Sequence, residues 1–155
     1  MKYFCTMPSP IGPLRPIVDE RGAVVRIAFP DENVTDAVED PKRVAGVVAQ
    51  LEEYFDGKRR AFDLELRPEG SEFQHQVWKL VYAIPFGQTR SYGQLAAEMK
   101  LASGARAIGR ANATNPIPIV VPCHRVIGAN GSLTGYAGGL EVKRMLLELE
   151  QPTLF

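Results

Sequence analysis

Over the first thirty residues the apolar positions come in short runs between turn formers, whereas beyond residue 70 they recur at helical spacing. Met1–Thr6 is apolar and aromatic, and Ser9-Pro10-Ile11-Gly12-Pro13 is a turn cluster. Leu14–Val18 and Ala23–Phe29 flank Asp19-Glu20-Arg21-Gly22. The pattern predicts short strands, the last two closing as a hairpin. Pro16 has no N–H for a ladder, which argues for an edge strand or a bulge there. Pro41 suits the first turn of a helix, and Val44, Val47, Val48, Leu51, Tyr54 and Phe55 follow at helical spacing until Gly57. Arg59–Leu66 alternates and predicts a further strand, and Arg67-Pro68-Glu69-Gly70 reads as a linker. Two domains are therefore expected, residues 1–70 and 71–155.

The second half reads as mostly helical. Ser71-Glu72 opens a segment with Phe73, Val77, Trp78, Leu80 and Val81 on one side, ended by Pro85 and Gly87. Ser91 has the chemistry of an N-cap for a helix over Tyr92–Met99. After a break at Leu101-Ala102-Ser103-Gly104, Ala105–Ala113 predicts a helix of small residues and arginines. Ile117–Val121 reads as an apolar extended stretch, Gly128–Gly139 as a glycine-rich loop, and Leu140–Leu149 as an amphipathic helix with Leu146, Leu147 and Leu149. The sum is an α+β protein: a small N-terminal sheet with one helix, then a helical lobe.

Composition narrows the classes. No apolar run approaches the roughly 20 residues that span a bilayer. Met1-Lys2-Tyr3-Phe4-Cys5 lacks the features of a signal peptide. A cytoplasmic protein with reduced thiols is expected, and two cysteines, Cys5 and Cys123, build no disulfide framework. Net charge is zero, but residues 1–70 carry 10 basic and 13 acidic side chains while residues 71–155 carry 8 and 5. Between Pro85 and Tyr136 the charged residues are Arg90, Lys100, Arg106, Arg110 and Arg125 against Glu98. Such an excess fits either a phosphate-contacting face or a chance cluster of solvated charges.

Two short helices joined by a glycine-containing turn have the outline of a helix-turn-helix. The second offers Ala105, Ala107, Gly109, Ala111 and Ala113, with Arg106 and Arg110 as its long projections. Small side chains allow close approach to a minor groove, where a protruding residue can enter the base stack. They serve equally well for tight packing against a neighbouring helix. Cys123 beside His124 is the second signal, because a thiol with a pKa near about 8.5 needs a base or a positive charge to act as a nucleophile. Adjacent side chains on a strand point apart, so cooperation requires a turn or a bridging water. A buried, inert thiol is the competing reading, and it is the one Cys5 receives. Cysteines and histidines at 5, 75, 123 and 124 lack metal-ligand spacing, and Gly135-Tyr136-Ala137-Gly138-Gly139 is not a phosphate loop. No metal and no cofactor are expected.

The stretch Asn115-Pro116-Ile117-Pro118-Ile119-Val120-Val121-Pro122-Cys123-His124-Arg125-Val126-Ile127-Gly128 closely resembles the active-site signature of the O6-alkylguanine-DNA alkyltransferase family. Phe73–Trp78, Ile84–Gly87, Ser91–Ala96, Ala105–Gly109 and Leu133–Leu140 resemble the same family in the same order. The resemblance implies a ribonuclease-H-like N-terminal lobe and a winged-helix-like C-terminal lobe that binds DNA and carries the site. It implies that Cys123 accepts an alkyl group irreversibly, once per molecule, from O6-alkylguanine or O4-alkylthymine in double-stranded DNA. His124 then takes the thiol proton through a water, Glu150 orients His124, and Asn115 braces the turn before the Pro-Cys-His run. Tyr92 matches the tyrosine that assists nucleotide rotation and protonates the departing base, and Arg106 the arginine that fills the vacated space.

Arg106, Tyr92, Ala105, Ala107, Gly109, Arg110 and Arg125 are the expected DNA contacts, made from the minor groove by a monomer. Tyr136, Ala137 and Val126 are the expected pocket lining. Three positions depart from the family pattern: Lys100–Gly104 replaces a Gly-x-Pro turn, Arg110 a small residue, and Ala137 a serine. Two other functions remain to be separated by experiment. One is a cysteine hydrolase; the other is a lesion-recognising alkyltransferase-like protein without transfer activity, in which the motif cysteine is replaced.

Overall fold

The computed structural model describes residues 1–131 and 135–151, and the chain separates into two units, Met1–Glu69 and Gly70–Phe155. In the first, β1 (Tyr3–Phe4), β2 (Arg15–Val18), β3 (Val24–Ala28) and β4 (Val38–Glu39) form a sheet in the order β3-β2-β1-β4. The β2–β3 turn is closed by Asp19, whose carboxylate accepts from the N–H groups of Arg21 and Ala23 while Gly22 takes φ +86°. Helix α1 (Pro41–Phe55) lays Val44, Val47, Leu51 and Tyr54 on this sheet. Pro41 opens it, and Gly57 at φ +76° ends it, with Lys58 N–H reaching back to Glu53 O at 2.8 Å.

Three expectations for this unit need correction. Pro16 lies in an interior strand, because β2 pairs with both β1 and β3. The bulge falls between Ile17 and Val18, and the β1 ladder lapses at Cys5 and Thr6, opposite Pro16, before resuming at the Met7–Leu14 bridge. Arg59–Leu66 is not a strand; Leu66 alone bridges to Val24. The Gln50 side-chain amide pairs with both backbone groups of Asp63 at 2.9 Å, occupying what a neighbouring strand would use. Met1–Thr6 contributes only its central dipeptide, and β4, an exposed pair held by Val38 N–H to Lys2 O, was not anticipated.

In the second unit, α2 (Glu72–Tyr82) and α3 (Tyr92–Glu98) each begin with a capping box, Ser71 with Gln74 and Ser91 with Gln94. Helix α4 (Ala105–Ala113) packs on both. Trp78 Nε1 donates to Ala111 O at 2.8 Å, fixing the last turn of α4 on α2. Strand β5 (Arg90–Ser91) pairs in parallel with β6 (Val126–Ile127), and α5 (Leu140–Glu150) closes the unit.

The α3–α4 turn ends α3 in a Schellman motif. Leu101 N–H bonds Ala96 O and Lys100 N–H bonds Ala97 O, with Lys100 at φ +59°. Leu101 then covers Gly104, where an added Cβ would stand 2.6 Å from Leu101 Cβ. The turn thus closes without the proline of the family pattern. The chain is α+β as expected. No helix among the described residues is long and apolar enough to cross a membrane.

Candidate active site

The segment leading to the thiol doubles back, where an extended stretch was expected. Pro116 and Pro118 have no N–H for a ladder, and two γ-turns take its place. Val120 N–H bonds Pro118 O at 2.9 Å around Ile119, which sits at φ +74°. Cys123 N–H bonds Val121 O at 2.7 Å around Pro122, at φ −80° and ψ 65°. Asn115 pins the fold-back: its Nδ2 donates to Val121 O at 2.8 Å and its Oδ1 accepts from Ile117 N–H at 3.0 Å. A 3-10 turn over Cys123–Arg125 follows. The cysteine and histidine therefore sit on a turn, not on opposite faces of a strand.

The turn is buried and charged. His124 Nε2 lies 2.7 Å from Glu150 Oε2. Arg125 grips the same carboxylate with Nε at 2.7 Å and a terminal nitrogen at 2.9 Å, and its other terminal nitrogen donates to Ile84 O at 2.6 Å. Arg125, expected on the DNA face, is 5% exposed and serves Glu150 instead. On the same inward stripe of α5 as Glu150 lie Leu146 and Lys143, and the fully buried Lys143 Nζ donates to Val126 O at 2.7 Å.

Burial pushes the Cys123 thiol up, while hydrogen bonds with Asn115 and Tyr136 and the charge of Lys143 oppose the rise. Burial pushes His124 down against the pull of Glu150, which favours the neutral ring. If Nε2–H donates to Glu150, Nδ1 carries the lone pair; it has no partner among the described residues. Lys143 is lowered from 10.5 to about 8 by desolvation, with Cys123 acting the other way.

Outside this turn, Tyr92, Ala105, Arg106, Gly109, Arg110, Ala113 and Gly135 line an open groove of about 500 Å³. Its floor is made of small residues and the half-buried Tyr92 ring, which a Cβ on Gly109 would meet at 3.7 Å. Arg106 and Arg110 project one helical turn apart and are exposed. Ala107 is half-buried outside the groove lining. Of the expected pocket residues, Tyr136 is half-buried at the thiol, Ala137 is exposed, and Val126 is buried with its carbonyl on Lys143. Ser132–Thr134, including Leu133 and Thr134 of the family-like motif, lie outside the described residues. No cluster of potential metal ligands occurs among the described residues.

Two residues escaped sequence reasoning. Lys143 is one; its stripe with Leu146 and Glu150 at helical spacing was a usable signal. Asn112 is the other: 2% exposed, it donates from Nδ2 to Cys123 O at 3.1 Å.

The family model for the DNA binding domain of 6-O-methylguanine DNA methyltransferase matches residues 72–152, and that for its ribonuclease-like domain matches residues 2–68. The chain belongs to the 6-O-methylguanine DNA methyltransferase family. A methylated-DNA--protein-cysteine methyltransferase of Methanosarcina mazei is 47% identical over 98% of this chain and 99% of its own length. The crystal structure of the Mycobacterium tuberculosis O6-methylguanine methyltransferase superposes with a TM-score of 0.90 at 44% identity, covering 97% of this chain and 93% of that one. The Mycobacterium tuberculosis OGT in complex with DNA gives 0.91 at 46%, covering 96% and 92%.

Proposed function

We propose that this protein repairs DNA by transferring the alkyl group of O6-alkylguanine to Cys123, once per molecule. The observation that carries the reading is the buried Cys123–His124 turn, with Glu150 of α5 bonded to His124, in the unit that also holds the α3–α4 groove. A lesion inside the duplex reaches a buried thiol only by leaving the stack. Arg106, exposed on α4, is suited to fill the gap from the minor groove, with Ala105, Gly109 and Ala113 allowing close approach and Arg110 adding a phosphate contact. The half-buried Tyr92 borders that groove and is the candidate to guide the rotating nucleotide.

In the chemical step the thiol proton passes through a water to His124 Nδ1, while Glu150 holds the ring by Nε2. Sulfur attacks the alkyl carbon, an S–C bond forms, and the C–O6 bond breaks with its electron pair going to the base. The base takes a proton from the Tyr92 phenol and leaves as guanine. Lys143 stabilises the transient thiolate electrostatically. The thioether has no return path, which makes the reaction stoichiometric. The C-terminal unit carries both DNA binding and chemistry; the protein works as a monomer, in the reducing cytoplasm where Cys123 stays free.

The test is intact mass after incubation with O6-benzylguanine and with duplex O6-methylguanine DNA, followed by peptide mapping. A stable adduct on Cys123, absent in Cys123→Ala, is expected, with DNA binding retained in the variant. A protein that bound the alkylated duplex but gained no mass would be a lesion sensor, and the reading would fall.

A further inference from the structure

We infer that Asn112 is a positioning residue for alkyl transfer, a side chain on the groove helix that fixes the backbone of the acceptor cysteine. The inference rests on the transfer reading above. Helix α4 turns Ile108, Ala111 and Asn112 inward. At 2% exposure an apolar side chain would satisfy packing at lower desolvation cost, so the amide is there for what it bonds. Its Nδ2 donates to Cys123 O at 3.1 Å. Its orientation is not arbitrary, because the flipped amide would set oxygen against oxygen. Asn112 Oδ1 has no hydrogen-bond partner among the described residues, so Cys123 is this amide's only hydrogen-bonded attachment there.

The acceptor needs such a tether. Between Asn115 and Val126 no extended sheet ladder holds the chain; two γ-turns, the Val121 N–H to Ile117 O bond at 2.9 Å and a single 3-10 turn do. Side chains therefore take the carbonyls in sequence: Asn115 takes Val121 O, Asn112 takes Cys123 O, and Lys143 takes Val126 O. Of these, the Asn112 bond acts on the residue whose sulfur must lie in line with the breaking C–O bond. It also anchors that residue to the rigid end of α4, which Trp78 and Gln74 lock to α2 through Ala111 O and the Thr114 hydroxyl. Displacement at carbon is sensitive to small angular errors, so loosening this tether lowers the rate without weakening the grip on DNA.

The experiment compares wild type with Asn112→Leu and Asn112→Asp in single-turnover transfer, separating the rate at saturating substrate from the Kd for duplex DNA. Both variants are expected to lose at least about tenfold in the saturating rate, on O6-methylguanine duplex and on free O6-benzylguanine alike. The Kd for DNA should stay within twofold. Wild-type rates in either variant overturn the inference, as does a loss confined to Kd or to the DNA substrate, which would make Asn112 a prop of the groove helix. If neither variant folds, through-hydrogen-bond coupling between Asn112 Nδ2–H and Cys123 C=O in the wild type decides, and its absence overturns the tether. A wild type that gains no mass defeats the transfer reading itself, a separate outcome.

Discussion

Lys143 and Glu150 lie on one buried stripe of α5 and bring opposite charges to the acceptor turn, the lysine at Val126 O and the carboxylate at His124 and Arg125. A stripe of leucines would have packed as well, but would have removed the α5 partners of Val126 O and His124 and left Arg125 with Ile84 O. The helix thus places charge where packing alone would call for apolar residues, and that has measurable consequences.

The ammonium of Lys143 is the first. Its pKa is about 8 in the fold against 10.5 ordinarily, because burial disfavours the charged form. Between those values the unfolded chain binds more protons than the folded one, so stability rises with pH across that window and the desolvation cost is fully present below pH 8. Urea unfolding of wild type and Lys143→Met from pH 7 to 10.5 should show the wild type gaining on the variant above about pH 8. Parallel curves would mean that the ammonium is not desolvated.

Arg125 and Arg106 should separate cleanly. Arg125 is buried on Glu150, so Arg125→Met leaves a buried carboxylate short of its strongest partner and is expected to cost about 3–5 kcal/mol. The slope of log Kd against log salt for duplex DNA should not change. Arg106, exposed beside the groove, behaves in the opposite way: Arg106→Ala keeps the melting temperature and slows transfer from duplex DNA, because the gap in the stack goes unfilled, while free O6-benzylguanine reacts as in the wild type. A salt slope altered by Arg125→Met alone would return that residue to the DNA face.

These contrasts mark how far the sequence could be read. The hairpin at Asp19–Gly22 and the helix starts at Ser71 and Ser91 were legible because each is settled within a few residues. Cys123, His124 and Glu150 were legible through the family-like motif, and the structure joins the last two at 2.7 Å. What was lost depended on distant partners. Arg59–Leu66 alternates like a strand, yet Gln50, 13 residues from Asp63, takes its backbone groups. Arg125 looks like any surface cation until Ile84 O, 41 residues away, and Glu150 close around it. The reversal at Ile119 was hidden because β-branched residues argue for extension.

The α3–α4 turn offers a stabilising change. Lys100 holds the left-handed position of a Schellman motif, which glycine occupies without a Cβ penalty. Lys100→Gly is expected to raise stability by about 1 kcal/mol in denaturant titration. Gly104→Ala should lower it, because the new Cβ would stand 2.6 Å from Leu101 Cβ and 3.1 Å from its Cδ1. Equal effects of the two substitutions would mean that the turn is not held as described.

Ile119 gives the sharpest test of the acceptor loop. Its side chain is fully buried, so truncation removes packing whichever small residue replaces it, and loses about 2–5 kcal/mol. At an ordinary buried site glycine is the worse replacement, by roughly 0.5–1 kcal/mol relative to alanine. At φ +74° the order inverts, because alanine retains the Cβ that crowds the left-handed backbone and glycine does not. Ile119→Gly should therefore be at least as stable as Ile119→Ala, whereas at Ile108, buried mid-helix on α4, alanine should win. Measuring all four variants by urea unfolding isolates the backbone contribution from the lost packing. If alanine wins at both positions, the strained γ-turn before Cys123 is not a feature of the protein in solution, and the acceptor reaches its place by another path of the chain.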